Sequence, residues 1–121
     1  EYNGSKYHGW QSQLNGISIQ EVLEKILLRV TKEKTHIVGS GRTDSGVHAE
    51  AQVAHFVTHS KMNEGEFLKA LNSLLPRDIV VKKVEEVSLE FDARRSARRV
   101  DCLLAVLATH LAHLGSCSRA W

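Results

Sequence analysis

Two amphipathic stretches, each opened by a capping residue, decide most of what this chain can fold into. Ser18 and Glu21 form an S-x-x-E capping pattern, in which each side chain can satisfy a backbone N–H at a helix start. Behind it Ile19, Val22, Leu23, Ile26, Leu27 and Val30 recur at helical spacing, while Glu24, Lys25 and Arg29 take the opposite face, so a helix is predicted over Ser18–Val30. Asn63 with Glu66 repeats the cap, Phe67, Leu68, Leu71, Leu74 and Leu75 make the stripe, and Pro76 stops it. A second helix is predicted from about Asn63 to Leu75.

The segments around the helices are β-like. Thr35–Val38 reads as a strand. Ala51, Val53, His55 and Val57 alternate with Gln52, Ala54, Phe56 and Thr58, which suits a sheet strand partly covered on both faces. Ile79–Val87 is Val-rich and follows a Pro-Arg-Asp turn, and residues 88–97 read as extended. The order strand, helix, strand, strand, helix, strand predicts an α+β fold of the split βαβ (ferredoxin/RRM-like) type. That arrangement is an antiparallel sheet with two helices on one face and the other face free.

Composition excludes some classes. With 42% hydrophobic and 25% charged residues, the chain is not a disordered segment, and 121 residues suit one modest core. A formal charge of +2 is too small to prove a nucleic-acid partner. Four of the six residues 94–99 are nevertheless arginine (Arg94, Arg95, Arg98, Arg99), a cluster that can sit on phosphates, although a solvated basic face is its commoner meaning. Cys102 and Cys117 fit neither a metal pattern nor a disulfide framework, and a reducing compartment, the cytoplasm, is the expected location. No run approaches the roughly 18 apolar residues of a membrane span, so no membrane partner is expected.

Gly41-Arg42-Thr43-Asp44-Ser45-Gly46-Val47-His48-Ala49 is the stretch richest in chemistry. Its glycines permit positive φ and close approach of a ligand to the main chain. A carboxylate two residues from a guanidinium, on a tight loop between strands, can present an acid and a cation to one ligand. On residues alone, a surface turn with an Arg–Asp pair is the commoner reading.

The stretch resembles the signature G-R-T-D-A-G-V-H-A of the tRNA pseudouridine synthases that modify the anticodon stem-loop, with Ser45 as the single departure. Tyr2-Asn3-Gly4-Ser5-Lys6-Tyr7-His8-Gly9-Trp10-Gln11 resembles that family's opening Y-D-G-x-x-Y-x-G-W-Q. Gln52–Phe56, Leu71–Pro76 and Phe91-Asp92-Ala93-Arg94 are similar to later landmarks, in the expected order. The likeness covers roughly residues 1–99, taken as a pseudouridine synthase N-terminal α/β domain, while 100–121 reads as a divergent apolar tail without family resemblance. The resemblance implies the N-terminal half of a pseudouridine synthase fold. It also implies that the beginning of the family's first strand, a following Tyr-bearing strand and a second domain are missing, so this chain is expected to be truncated and inactive alone.

The resemblance further implies tRNA as partner and an isomerisation that breaks a C–N glycosidic bond, turns the uracil and rejoins it through carbon. That chemistry needs no cofactor and no metal. Asp44 is implied as the catalytic carboxylate, as nucleophile or as base. Arg42, Thr43, Tyr7, Trp10 and Arg94 are implied to bind substrate. Arg42 would either hold Asp44 ionised or fill the space left by a flipped base; Thr43 also shapes the loop; Tyr7 and Trp10 either stack on RNA or pack beneath the sheet. His48 and His55 suggest a metal, but no further ligand is spaced to complete a site, and packing and loop hydrogen bonds are the favoured reading. Leu103, Leu104, Val106, Leu107, Leu111 and Leu114 fit a helical stripe with no visible partner, so the tail is expected to cover the sheet or to drive self-association as a homodimer. Two rivals stand beside this reading: a non-catalytic RNA-binding or regulatory fragment, and a phosphate-binding hydrolase using Gly39–Arg42. The second lacks a P-loop Lys and a helix start directly after the glycines.

Overall fold

The computed structural model describes residues 1–96, so the division at residue 99, Arg98, Arg99 and the apolar stretch 100–121 lie outside the described residues. Helix α1 spans Ile19–Thr31, with Ser18 in extended backbone and its side chain accepting from the Glu21 N–H at 3.1 Å. Ile19 and Leu27, 0% and 1% exposed, are the deepest of its stripe. The helix ends on Lys32 in the left-handed region, φ 62, whose N–H still reaches the Leu28 carbonyl. Helix α2 spans Glu64–Leu74 behind a complete capping box: Asn63 accepts from the Glu66 N–H and Glu66 from the Asn63 N–H, each at 2.9 Å. Leu75 is extended, as the residue before a proline must be. The helices pack on each other, and Phe67 of α2 sits 5.9 Å, ring to ring, from Phe56.

Strand β1 (Val38–Gly39) pairs antiparallel with β2 (Ala54–His55), Val38 opposite His55 and Gly39 opposite Ala54. The Ser40 N–H carries the pairing on to the Val53 carbonyl. Tyr2 bridges Ala49 on one side and Ile79 on the other, both antiparallel. Across the layer the order is therefore residues 78–80, 1–3, 49–55 and 38–40. Helix α1 joins two segments that have a third between them, and α2 does the same. This interleaving is the split βαβ arrangement, and the fold is α+β.

The regular strands are shorter than alternation predicts, and Ile79–Val87 is not a strand beyond its bridge. Its backbone is engaged by α2 instead. The Asn72 amide donates to the Val81 carbonyl at 2.8 Å and accepts from the Val81 N–H at 2.9 Å, and the Glu86 N–H goes to the Glu64 carboxylate. On the opposite side, the Ile37 N–H goes to Glu24 of α1 and the Ile37 carbonyl accepts from Gln20, each at 2.9 Å. Within the described residues 88–96 the extended reading also gives way: a turn closes from the Phe91 N–H to the Ser88 carbonyl, and a short helix α3 (Ala93–Ser96) follows. Asp92 explains the helix, because its carboxylate accepts from the N–H groups of Arg94 and Arg95.

Candidate active site

Residues 41–49 form a loop laid along the N-terminal segment, so the two motif stretches are one structural unit. Tyr2 and Ala49 exchange backbone hydrogen bonds at 2.7 and 3.0 Å, and the Gly4 N–H donates to His48 Nδ1 at 3.3 Å. Farther along, the Gly46 N–H reaches the Tyr7 carbonyl at 3.1 Å and the Trp10 N–H reaches the Thr43 carbonyl at 3.0 Å. The approach is so close that a Cβ on Gly9, which lies at φ 80, would stand 2.5 Å from the Thr43 oxygen. The loop tip is a tight turn in which the Val47 N–H returns to the Asp44 carbonyl at 3.2 Å. Gly46 at its third position has φ 79, the value a type II turn demands there.

Asp44 is exposed at this tip, directly after buried Thr43. Among the described residues, neither the Asp44 carboxylate nor the Arg42 guanidinium has a hydrogen-bond or ion-pair partner, so the Arg42–Asp44 charge pair is not formed. Thr43 points inward, its Oγ1 2.7 Å from the Tyr2 hydroxyl. Tyr7 and Trp10 are core residues, 8% and 4% exposed. The Tyr7 hydroxyl donates to Asp78 Oδ1 at 2.7 Å, and burial, then this bond, pushes its pKa up to about 12. Trp10 lies 6.2 Å from Tyr2, ring to ring, and a Cβ at Gly39 would stand 2.5 Å from the indole. The two histidines make loop hydrogen bonds: His48 accepts from Gly4, and His55 Nδ1 accepts from the Ala93 N–H at 2.9 Å. No group of three or more His, Cys, Asp or Glu side chains among the described residues could hold a metal ion.

The His55–Ala93 bond docks α3 against β2, aided by an edge-on contact between the His55 and Phe91 rings. That docking brings Arg94 and Arg42, about fifty residues apart in sequence, onto one cleft of about 330 Å³, which Trp10, Gln11 and His36 also line. Asp44 lies outside its lining. Two exposed guanidiniums thus share one opening, beside the loop that carries Asp44.

Sequence reasoning passed over three supports. Gln52 donates to the Gly41 carbonyl at 2.8 Å and holds the loop's first residue, yet it reads only as part of a strand. Asp78 anchors Tyr7 but reads as a turn residue. Gln20, buried on α1, holds the Ile37 carbonyl ahead of β1. In each case the signal is a polar side chain beside an apolar stripe, which spacing alone does not distinguish from a surface residue. Ser40 Oγ and Gln52 Oε1, flanking the loop's entry and exit, are buried without a hydrogen-bond partner among the described residues.

A family model described as tRNA pseudouridine synthase matches residues 1–94. The chain is 52% identical over 98 residues to tRNA pseudouridine synthase A of Ruminiclostridium cellulolyticum, covering 81% of this chain and 40% of that protein. It is 50% identical over 99 residues to the protein of the same name from a Thermoanaerobacter species, covering 82% and 41%. With tRNA pseudouridine synthase A 2 of Clostridium perfringens, identity is 52% over 94 residues, covering 78% and 38%. The chain thus spans 38 to 41% of the length of these curated relatives. No helix among the described residues is long and apolar enough to cross a membrane.

Proposed function

The chain belongs to the tRNA pseudouridine synthase family, and from that premise we propose that it carries the catalytic loop of an enzyme converting uridine to pseudouridine in the anticodon stem-loop of cytoplasmic tRNA, with Asp44 as the catalytic carboxylate. The observation that carries this reading is the presentation of Asp44: an exposed acid at the tip of a loop pinned along its length to residues 2–10. A reacting carboxylate needs both properties. It must be open to a nucleotide taken out of its stack, and it must be held so that little is lost in orienting it.

The reaction is an isomerisation. The bond from C1′ to N1 breaks, uracil turns, C5 bonds to C1′, and the proton lost from C5 is balanced by one gained at N1. No redox change or external group enters, so side chains and water suffice. Asp44 serves by attack at C1′ or by removing a ribose proton, and both roles require the ionised form. Arg42 and Arg94, on their shared cleft, are suited to phosphates flanking the target. Thr43, Tyr7 and Trp10 serve the substrate indirectly in this reading, by holding the loop from within the core. A homodimer built through the apolar residues of the 103–114 sequence belongs to the same proposal, and sedimentation of the purified chain tests it.

The direct test uses a full-length chimera in which residues 1–94 replace the matching segment of the 52% identical relative. In it, Asp44→Asn should reduce pseudouridine formed in an unmodified tRNA transcript to background and leave tRNA affinity within about twofold. Substantial turnover by the Asn variant refutes the assignment. A second reading, RNA binding without turnover by the 121-residue chain alone, is favoured by the Arg42–Arg94 cleft. Turnover by the isolated chain excludes it.

A further inference from the structure

We propose that Tyr7 and Asp78 form a positioning pair that fixes the Asp44 loop, so that breaking their hydrogen bond slows turnover without weakening tRNA binding. The inference rests on Asp44 being the catalytic carboxylate.

Tyr7 touches both the loop tip and the turn after α2. Its carbonyl receives the Gly46 N–H at 3.1 Å and the Ser45 hydroxyl at 3.4 Å, so it holds the two residues that follow Asp44. Its hydroxyl, at the other end of a buried ring, donates to Asp78 Oδ1 at 2.7 Å. Asp78 is itself fixed. Its carbonyl accepts from the Asn3 N–H at 2.8 Å, and the next N–H, of Ile79, closes a turn onto the Pro76 carbonyl. The chain of contacts runs from the α2 exit turn through a rigid aromatic lever to the turn that presents Asp44.

A neutral donor to a carboxylate makes a short, strong bond, here part-buried at the end of a ring that is itself packed in the core. Without it the ring loses its fixed end, and the carbonyl that holds Gly46 shifts with the ring. Neither Tyr7 nor Asp78 lines the Arg42–Arg94 cleft, and the bonds from Tyr7 reach residues 45 and 46, beyond Asp44 from Arg42, so phosphate binding should be insensitive to them.

The chimera described above is the test system, with Tyr7→Phe, Asp78→Ala, Asp78→Asn and the double variant Tyr7→Phe/Asp78→Ala. Tyr7→Phe keeps the ring and the carbonyl and removes only the hydroxyl. Expected is a fall in kcat of about tenfold with KM for tRNA within about twofold. Asp78→Ala should match it, the double variant should be no worse than either single one, and Asp78→Asn, which retains an acceptor oxygen, should recover most of the rate. Amide hydrogen exchange gives a readout independent of activity: the Gly46 N–H should exchange about tenfold faster in Tyr7→Phe while amides of α1 do not change. Unchanged exchange at Gly46, equal acceleration throughout α1, or additive losses in the double variant would each overturn the pairing. Asp44→Asn measured in parallel separates the two readings. Turnover there refutes the role of Asp44 and leaves the exchange result standing, whereas a dead Asp44→Asn beside a fully active Tyr7→Phe refutes the positioning pair alone.

Discussion

Gly9 and Gly46 have almost the same φ, 80 and 79, but stand in different surroundings, so the same substitution at each isolates how tightly the loop of residues 41–49 is seated. An alanine in left-handed backbone costs about 1–2 kcal/mol at either position. At Gly46 nothing lies within 4 Å of the added Cβ, so the cost should end there. At Gly9 the Cβ would stand 2.5 Å from the Thr43 oxygen and 3.2 Å from the Asp44 carbonyl carbon, where ordinary contact begins at 3.4 Å. Relief requires the loop to retreat by about 0.9 Å, the difference between those distances. Such a retreat stretches the 3.0 Å bond from Trp10 to Thr43 and disturbs the bond from the Ile19 N–H to the Gly9 carbonyl. Each bond contributes about 0.5–1.5 kcal/mol. Gly9→Ala should therefore cost about 2–5 kcal/mol against about 1–2 for Gly46→Ala, a gap visible as a shift in urea midpoint at constant slope. In the chimera, Gly9→Ala should also lower turnover by on the order of a hundredfold, since a displacement near 1 Å at the reacting group has that effect. Equal stability losses at the two glycines, or full activity in Gly9→Ala, would refute the close seating of the loop.

Two further outcomes are expected. Affinity for tRNA should fall steeply with salt, and Arg42→Ala or Arg94→Ala should each reduce the log–log slope by up to about one; a slope that neither variant changes removes the cleft from the interface. Asn63→Ala, which removes one half of the α2 capping box at an exposed position, should cost about 1 kcal/mol in urea unfolding and leave tRNA affinity unchanged; no loss of stability would mean that water caps the helix equally well.

The helices were legible because their signals are local. Ser18 with Glu21 and Asn63 with Glu66 sit where the caps form, and Pro76 enforces the extended Leu75. The order of elements followed from them and yields the split βαβ interleaving. Strand lengths were not legible, because alternation reports which face a residue covers and not which group its N–H will find. The Val-rich run after Ile79 loses its ladder to Asn72 and Glu64, and that depends on where α2 places two polar side chains. Asp44 and Arg42 were marked by motif. The inward turn of Thr43 and the burial of Tyr7 and Trp10 were not, since an aromatic in a polar loop motif can stack on a ligand or anchor the loop from below. Here the rings lie below, and the loop's shape follows from them.

The side chains that engage Ile37 and Val81 have a consequence for how this protein meets other chains. These two residues directly adjoin the outermost segments of the layer, and their backbone groups are among those a foreign strand would seize. Gln20 and Glu24 occupy them on one flank and Asn72 on the other. An incoming strand would have to strip polar side chains from the backbone before adding its own bonds, leaving amide and carboxylate groups to find new partners at about 1–3 kcal/mol for each one stranded. The two helices thus occupy the outward backbone groups of one residue on each flank of the layer, and a strand adding there would have to displace them.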